Sequence, residues 1–253
     1  MTGFDLSGRL AVVTGAKRGI GRAIAEALAA AGADIVGVSA TLDPASSEVG
    51  DRVRALGRDF EGHRVDFADR SQVSALGSRL AGQERPVDIL VNNAGTIRRA
   101  PAAEHPIEWF DEVLEVDLIS GFVLSQALGA RMLREGRGRI VFTASLLSFQ
   151  GGINVPGYAA AKSGVAGLVR ALANEWTAAG VTVNGIAPGY IATDNTQALQ
   201  DDPDRSKAIL DRVPAGRWGR AEDIGGAAVF LASDAAQYIS GAILPVDGGW
   251  LGR

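Results

Sequence analysis

The stretch RLAVVTGAKRGIGRAIAEALAAAG, residues 9–32, decides the fold. Its first part, RLAVVTG (9–15), is a short apolar run of the kind that forms a buried strand. Its last part, GIGRAIAEALAAAG (19–32), repeats apolar residues at helical spacing and closes on Gly32. Between them, TGAKRGIG (14–21) sets glycines at 15, 19 and 21, a G-x-x-x-G-x-G spacing rather than the commoner G-x-G-x-x-G. Glycines at a strand–helix junction permit a tight turn, close backbone approach and close helix packing. The helix N-terminus then offers free N–H groups and partial positive charge to a phosphate. Many strand–helix turns need glycine. It is the position of this one, after the first strand of an α/β chain, that points to nucleotide binding.

The same alternation continues outward. Strand patterns at DIVGVS (34–39), EGHRVDF (61–67), DILVNNAG (88–95), RIVFTAS (139–145), VTVNGIAPG (181–189) and AILPVDGG (242–249) follow the first strand. Helical patterns lie at 46–57, 69–82 (with Asp69 as N-cap), about 107–135, Pro156 to Ala179, and 221–233. Segment 190–220 reads as polar and irregular, with Pro203 and Pro214. Strands alternating with helices predict one α/β domain over 1–253: a Rossmann fold with a doubly wound, seven-stranded parallel sheet and helices on both faces. No linker and no fixed-period repeat is visible.

Composition narrows the chemistry. At 47% hydrophobic and 21% charged, 253 residues suit a globular domain that buries a large core. With no cysteine, disulfides and thiolate metal sites are excluded; His63 and His105 are too few for a histidine cluster, and no metal is expected. The net charge of −4 and the lack of a basic stripe argue against nucleic acid. No secretory signal and no apolar run of membrane-spanning length is visible, so the expectation is a cytoplasmic protein with no membrane partner.

PGYAAAKSG (156–164) places Tyr158, one of three tyrosines, four residues before Lys162, one of three lysines. On a helix the two project side by side. TGxxxGxG at 14–21, NNAG at 92–95, Ser145, YxxxK at 158–162 and PGxxxT at 188–193 together resemble the short-chain dehydrogenase/reductase family, in order and over essentially the whole chain. The resemblance implies an enzyme that moves a hydride between a nicotinamide and a carbonyl or alcohol carbon, and a homotetramer. The residue chemistry agrees. A carbonyl receiving hydride needs a proton on its oxygen. A free tyrosine holds its proton too tightly at neutral pH, and an ammonium one turn away stabilises the phenolate. Tyr158 is then the general acid or base, Lys162 its partner and a contact to the nicotinamide ribose, and Ser145 a donor to the reacting oxygen. Family members usually carry asparagine in the helix after NNAG. Here EVDLISGF (115–122) puts Asp117 in that fourth catalytic place, and an ionised carboxylate cannot donate.

The resemblance also implies cofactor contacts. These are Gly15, Lys17, Arg18, Gly19, Ile20 and Gly21 in the glycine loop, and Ser39 after the second strand. Asp66 and Phe67 lie beside the adenine, and Asn92, Asn93, Ala94 and Gly95 under the adenosine ribose. Pro188, Gly189, Ile191 and Thr193 lie near the nicotinamide, with Tyr158 and Lys162. The second strand ends GVSATLD (37–43), with no acid for the ribose hydroxyls before Asp43, while Lys17 and Arg18 lie close to where a 2′-phosphate would sit. Those features favour NADP; the resemblance pulls toward NAD.

NNAGTIRR (92–99), LLSFQGGINVPGY (146–158), NEW (174–176), IAPGYIATDNTQ (186–197), ILDRVPAGRWG (209–219) and VDGGWLGR (246–253) resemble the family's sugar-acid branch, which acts on gluconate, 2-deoxygluconate and ketodeoxygluconate. A guanidinium is the natural bidentate partner of a carboxylate, so Arg98 and Arg99 are substrate candidates. Gln150, Asn154, Tyr190 and Asn195 are candidates for the hydroxyls. Segment 190–220 suits a lid, and Trp218 either closes the pocket or packs beneath it. Two alternatives stay open: a reductase of 3-oxoacyl thioesters or other carbonyls, and a non-catalytic dinucleotide-sensing module.

Overall fold

The computed structural model describes residues 3–253. Seven strands form one sheet: β1 (Leu10–Thr14), β2 (Asp34–Ser39), β3 (Phe60–Arg64), β4 (Ile89–Asn92), β5 (Gly138–Thr143), β6 (Val181–Pro188) and β7 (Ile243–Val246). Their order is β3-β2-β1-β4-β5-β6-β7, and each pairing is parallel. Strands β1, β4 and β6 are buried from end to end, as expected where helices cover both faces. Pro245 falls in β7, an edge strand, where the missing N–H costs the ladder least.

On one face, α1 (Gly19–Ala30), α2 (Glu48–Ala55) and α9 (Glu222–Ala232) cover the sheet through Ile24, Leu28, Val49, Val53, Ile224 and Leu231. On the other, α3 (Arg70–Gly82), α5 (Ser120–Glu135) and α6 (Pro156–Trp176) cover it through Leu76, Leu80, Leu124, Met132, Val165 and Val169. Asp69 caps α3, its carboxylate accepting the N–H groups of Ser71 and Gln72.

Two expectations need correction. The helix over 107–135 is one continuous run, α4 (Ile107–Leu114), a π-turn (Glu115–Ile119) and α5. Contrary to the sequence reading, its length and hydropathy reach those of a membrane span. Here it lies on the sheet: Leu124, Leu128 and Met132 are buried, and the apolarity serves the core. Segment 190–220 is not irregular throughout. It holds α7 (Gln197–Gln200) and α8 (Pro203–Leu210).

That segment carries its own small core. Ile209 and Val213 pack with Leu146 and Trp250. Tyr190 meets Trp250 and Trp218 edge-on, at centroid distances of 4.8 and 5.8 Å, and Trp218 donates its indole N–H to Ser206. Trp218 therefore packs beneath segment 190–220.

Candidate active site

Sheet order reverses between β1 and β4, and ligands of open α/β sheets bind beyond the strand C-termini at such a point. The glycine loop leaves β1 there. Gly15 and Gly19 take φ of +68° and +56°, which disfavour any side chain. A Cβ on Gly21 would collide with the carbonyl of Gly15, so the loop closes only around glycine. No side chain caps the N-terminus of α1 and no acid lies in its first turn, leaving that end free for an anion. The loop thus fits the pyrophosphate of a dinucleotide.

Thr14 joins this loop to the turn after β4. Its hydroxyl accepts the N–H groups of Asn93 (2.8 Å) and Ala94 (2.9 Å), and its carbonyl accepts Asn93 Nδ2 (3.0 Å). Thr143 donates to Asn93 Oδ1 at 3.1 Å. Asn92 instead turns inward and donates to Ser125.

The rim of β2 is polar and uncharged. The Ser39 hydroxyl accepts the Lys17 N–H, and Lys17 Nζ donates to the Thr41 carbonyl (2.9 Å) and hydroxyl (3.1 Å). Arg18 pairs with Asp194 of segment 190–220 at 2.7 Å. Asp66 stands exposed just beyond β3, whereas the Phe67 side chain is buried in the core, leaving only its backbone to face a ligand. Ile191 is likewise buried, and Ile20 packs against the same core. A Cβ on Gly189 would lie 2.6 Å from Asp247 Cα, so Pro188–Gly189 must turn tightly at the end of β6. Thr193 touches the glycine loop, its Cγ2 3.5 Å from where a Cβ on Gly19 would stand.

Lys162 is buried on α6, one turn beyond Tyr158. Its Nζ donates to the Thr143 carbonyl at 3.0 Å and lies 3.1 Å from Asp117 Oδ2. The second contact is an ion pair rather than an aligned hydrogen bond. The ammonium faces the Tyr158 ring, 5.4 Å from its centroid. Burial pushes Lys162 down, but the charges of Asp117 and Tyr158 outweigh it and hold the amine above its ordinary range. Burial pushes the Asp117 carboxyl up, against the pull of Lys162 and of the Thr96 N–H. Ser145 lies two residues past β5, its hydroxyl accepting the Leu147 N–H. Ser148 locks this turn to α6 by donating to the Lys162 carbonyl at 2.6 Å.

The substrate candidates fall on three adjoining loops. Arg98 forms a bidentate pair with Glu112 of α4, and its guanidinium lies over Trp109. Arg99 donates to the Asn195 carbonyl at 3.2 Å. Gln150 and Asn154 are exposed; Asn154 takes a left-handed φ of 63°, and its carbonyl accepts the Ala100 N–H. Tyr190 belongs to the aromatic cluster under the lid.

Sequence reasoning assigned no role to Thr14, Thr96, Glu112, Thr143 or Ser148. Thr14 stands inside the glycine motif and was open to reading; the others act through a carbonyl, a backbone N–H or a distant helix and carry no local signal.

Comparison with known proteins gives concordant findings. A family model described as enoyl-(acyl carrier protein) reductase matches residues 15–251. A 2-dehydro-3-deoxy-D-gluconate 5-dehydrogenase of Pseudoalteromonas atlantica is 58% identical over 250 residues, covering 99% of this chain and 98% of the relative. A 3-oxoacyl-[acyl-carrier-protein] reductase of Escherichia coli is 41% identical, covering 97% and 98%. The crystal structure of a gluconate 5-dehydrogenase from Burkholderia cenocepacia, in complex with NADP and tartrate, superposes with a TM-score of 0.93 at 36% identity, covering 99% and 98%.

Proposed function

The chain belongs to the short-chain dehydrogenase/reductase family and is an NAD(P)-dependent oxidoreductase, and on that premise we propose that it interconverts a secondary alcohol and a ketone on a sugar acid of the gluconate or ketodeoxygluconate type. The observation that carries the chemistry is the buried Lys162 ammonium, fixed by Thr143 and Asp117 and facing the Tyr158 ring.

When bound, the nicotinamide supplies or accepts the hydride. Tyr158 gives its proton to the carbonyl oxygen in reduction and takes the hydroxyl proton in oxidation. Lys162 stabilises the phenolate in both directions. Ser145 hydrogen-bonds the reacting oxygen and holds the carbon in place for transfer. The glycine loop and the N-terminus of α1 hold the pyrophosphate, and the Thr14-bound turn at Asn93, Ala94 and Gly95 floors the adenosine. Thr193 closes on the nicotinamide side.

The Lys17 N–H donates to the Ser39 hydroxyl and its ammonium to Thr41, and β2 ends without an acid for the ribose hydroxyls, which supports NADP over NAD; Arg18 is held by Asp194. The sugar-acid reading rests on the strong identity to a ketodeoxygluconate dehydrogenase, and on Arg99 as carboxylate partner with Gln150, Asn154 and Asn195 around the hydroxyls. We place the enzyme in the cytoplasm as a homotetramer; exposed Ile107, Trp109 and Phe122 on α4 and α5 support self-association. A panel of aldonic and ketoaldonic acids, run with NAD and NADP and read by nicotinamide absorbance, tests the whole reading. Turnover confined to neutral ketones would defeat it.

A second reading has support of its own. Phe149 and Ile153 are exposed beside Gln150 and Asn154, and an apolar rim suits an acyl chain. Under a 3-oxoacyl thioester reading, a 3-oxoacyl thioester would outperform every sugar acid in the same panel.

A further inference from the structure

Two donors converge on the side chain of Asp117. The Thr96 N–H donates to Oδ1 at 2.7 Å, and the Lys162 ammonium stands 3.1 Å from Oδ2. Lys162 is also held by the Thr143 carbonyl, and Thr96 lies in the loop just beyond β4. Gly95 leaves the carboxylate its room, since a Cβ there would lie 3.0 Å from Oδ2. An asparagine offers one accepting oxygen and one donating NH2. In either orientation its NH2 would face a donor, the Thr96 N–H or the ammonium. Only a carboxylate accepts from the Thr96 N–H and gives the ammonium a counter-charge at once.

We propose that Asp117 is a positioning residue required as a carboxylate, which ties the catalytic lysine to the loop bearing Arg98 and Arg99 and offsets the ammonium charge felt by Tyr158. Asparagine, the residue usual at this place in the family, is then a damaging substitution here rather than a neutral one. The π-turn at Glu115–Ile119 delivers the side chain, re-aiming it inward where a regular helix would carry the chain past. The groups facing one another are Asp117 from this turn, Tyr158 and Lys162 from α6, the Thr143 carbonyl from β5 and the Thr96 N–H from the loop after β4. Among the described residues no other ion pair reaches either charge.

The proposal rests on the Tyr158–Lys162 chemistry above but not on the identity of the substrate. Its test is a tyrosinate titration of the free protein by ultraviolet difference absorbance. The chain has three tyrosines, and the Tyr158→Phe variant identifies the signal of that residue. In Asp117→Asn the ammonium field is no longer offset, so the Tyr158 signal rises at lower pH than in the wild type. Turnover falls at least tenfold in kcat/KM as the lysine loses its counter-charge and one of its two positioning contacts, and the rising limb of the oxidation rate moves to lower pH with it. A role limited to holding the fold would lower activity without moving either curve. Stability gives a second readout. Asp117→Asn leaves a buried ammonium without its counter-charge, so adding Lys162→Met restores the Tm it loses. An unmoved tyrosinate curve, or additive losses of Tm, overturns the proposal. If Asp117→Asn does not accumulate as folded protein, folding of the double variant supports the pairing and its failure overturns it. If the tyrosinate curve shifts while no sugar acid is turned over, the substrate reading falls and this one stands.

Discussion

Glu112 takes both Nε and Nη2 of Arg98 at 2.8 Å, so of the two arginines after the fourth strand only Arg99 keeps its guanidinium near the lid. A carboxylate substrate would therefore be held by Arg99. Arg99→Ala should lower kcat/KM roughly thirtyfold or more on an acidic substrate, because truncating one side of a charge pair desolvated by the bound substrate also misplaces the reacting carbon. Arg98→Ala should cost far less, and neither variant should change turnover of a neutral polyol. Steady-state kinetics on matched acidic and neutral substrates decide it; equal losses on both would make Arg99 a surface charge.

Tyr158→Phe keeps the ring against Lys162 and removes the exchangeable proton. Turnover should fall by about 10²–10⁴, while cofactor affinity, followed by nicotinamide fluorescence, stays near that of the wild type. Near-normal turnover would remove Tyr158 from its assigned role.

Gly21→Ala introduces a methyl that meets the Gly15 carbonyl and the Asn93 amide at once. Neither can retreat, since Asn93 Nδ2 is bound to the Thr14 carbonyl and Gly15 sits in the turn itself. Cofactor binding by calorimetry should be lost even where the sheet survives by circular dichroism. A variant with intact affinity would mean that the loop adjusts.

The proposed lid, segment 190–220, has an acid-sensitive clasp. Asp223 accepts from Arg217 (2.6 Å) and from the Arg220 N–H (2.8 Å), and these bonds hold its carboxyl down at about 2. A depressed carboxylate stabilises the fold fully above its unfolded value near ~3.9, and that contribution fades as pH falls toward the folded one. Cleavage of 197–220 by an acid-active protease should therefore accelerate as pH drops through that window. Asp223→Asn should cut at the fast rate throughout. A lid equally resistant at both ends would show that the clasp holds nothing.

The first strand, glycine loop and first helix were readable because a period-3.6 apolar pattern meets glycines that only a turn requires. The helix at Pro203–Leu210 was not, although its signals are local. Asp202 caps it, accepting the N–H groups of Asp204 and Arg205, and Pro203 takes the first helical position. Within a run of acids and a proline, those signals read as loop. Asp117 was visible as a departure from a pattern. Its double engagement was not, since one partner is a backbone N–H on a distant loop. Arg98 and Arg99 are neighbours in sequence, and what separates them is Glu112, fourteen residues away on another helix. Lys162 was expected to face Tyr158; its anchor, the Thr143 carbonyl, belongs to no side chain and leaves no trace in a residue pattern.

The ladder between β1 and β4 has three paired positions, Ala11 with Ile89, Val12 with Leu90 and Val13 with Val91, the shortest in the sheet. It is the seam between the two halves of the domain, with Thr14 as its stitch to the turn beyond. A seam so short is where partial, sub-global opening should begin, well below the free energy of full unfolding. A dinucleotide held as proposed, by the glycine loop on one side and the 93–95 turn on the other, would bind only the closed form. Each increment of free cofactor above its dissociation constant then raises the opening energy by mass action. How long the resting enzyme stays intact is in that sense set by the cell's nicotinamide pool as much as by the polypeptide.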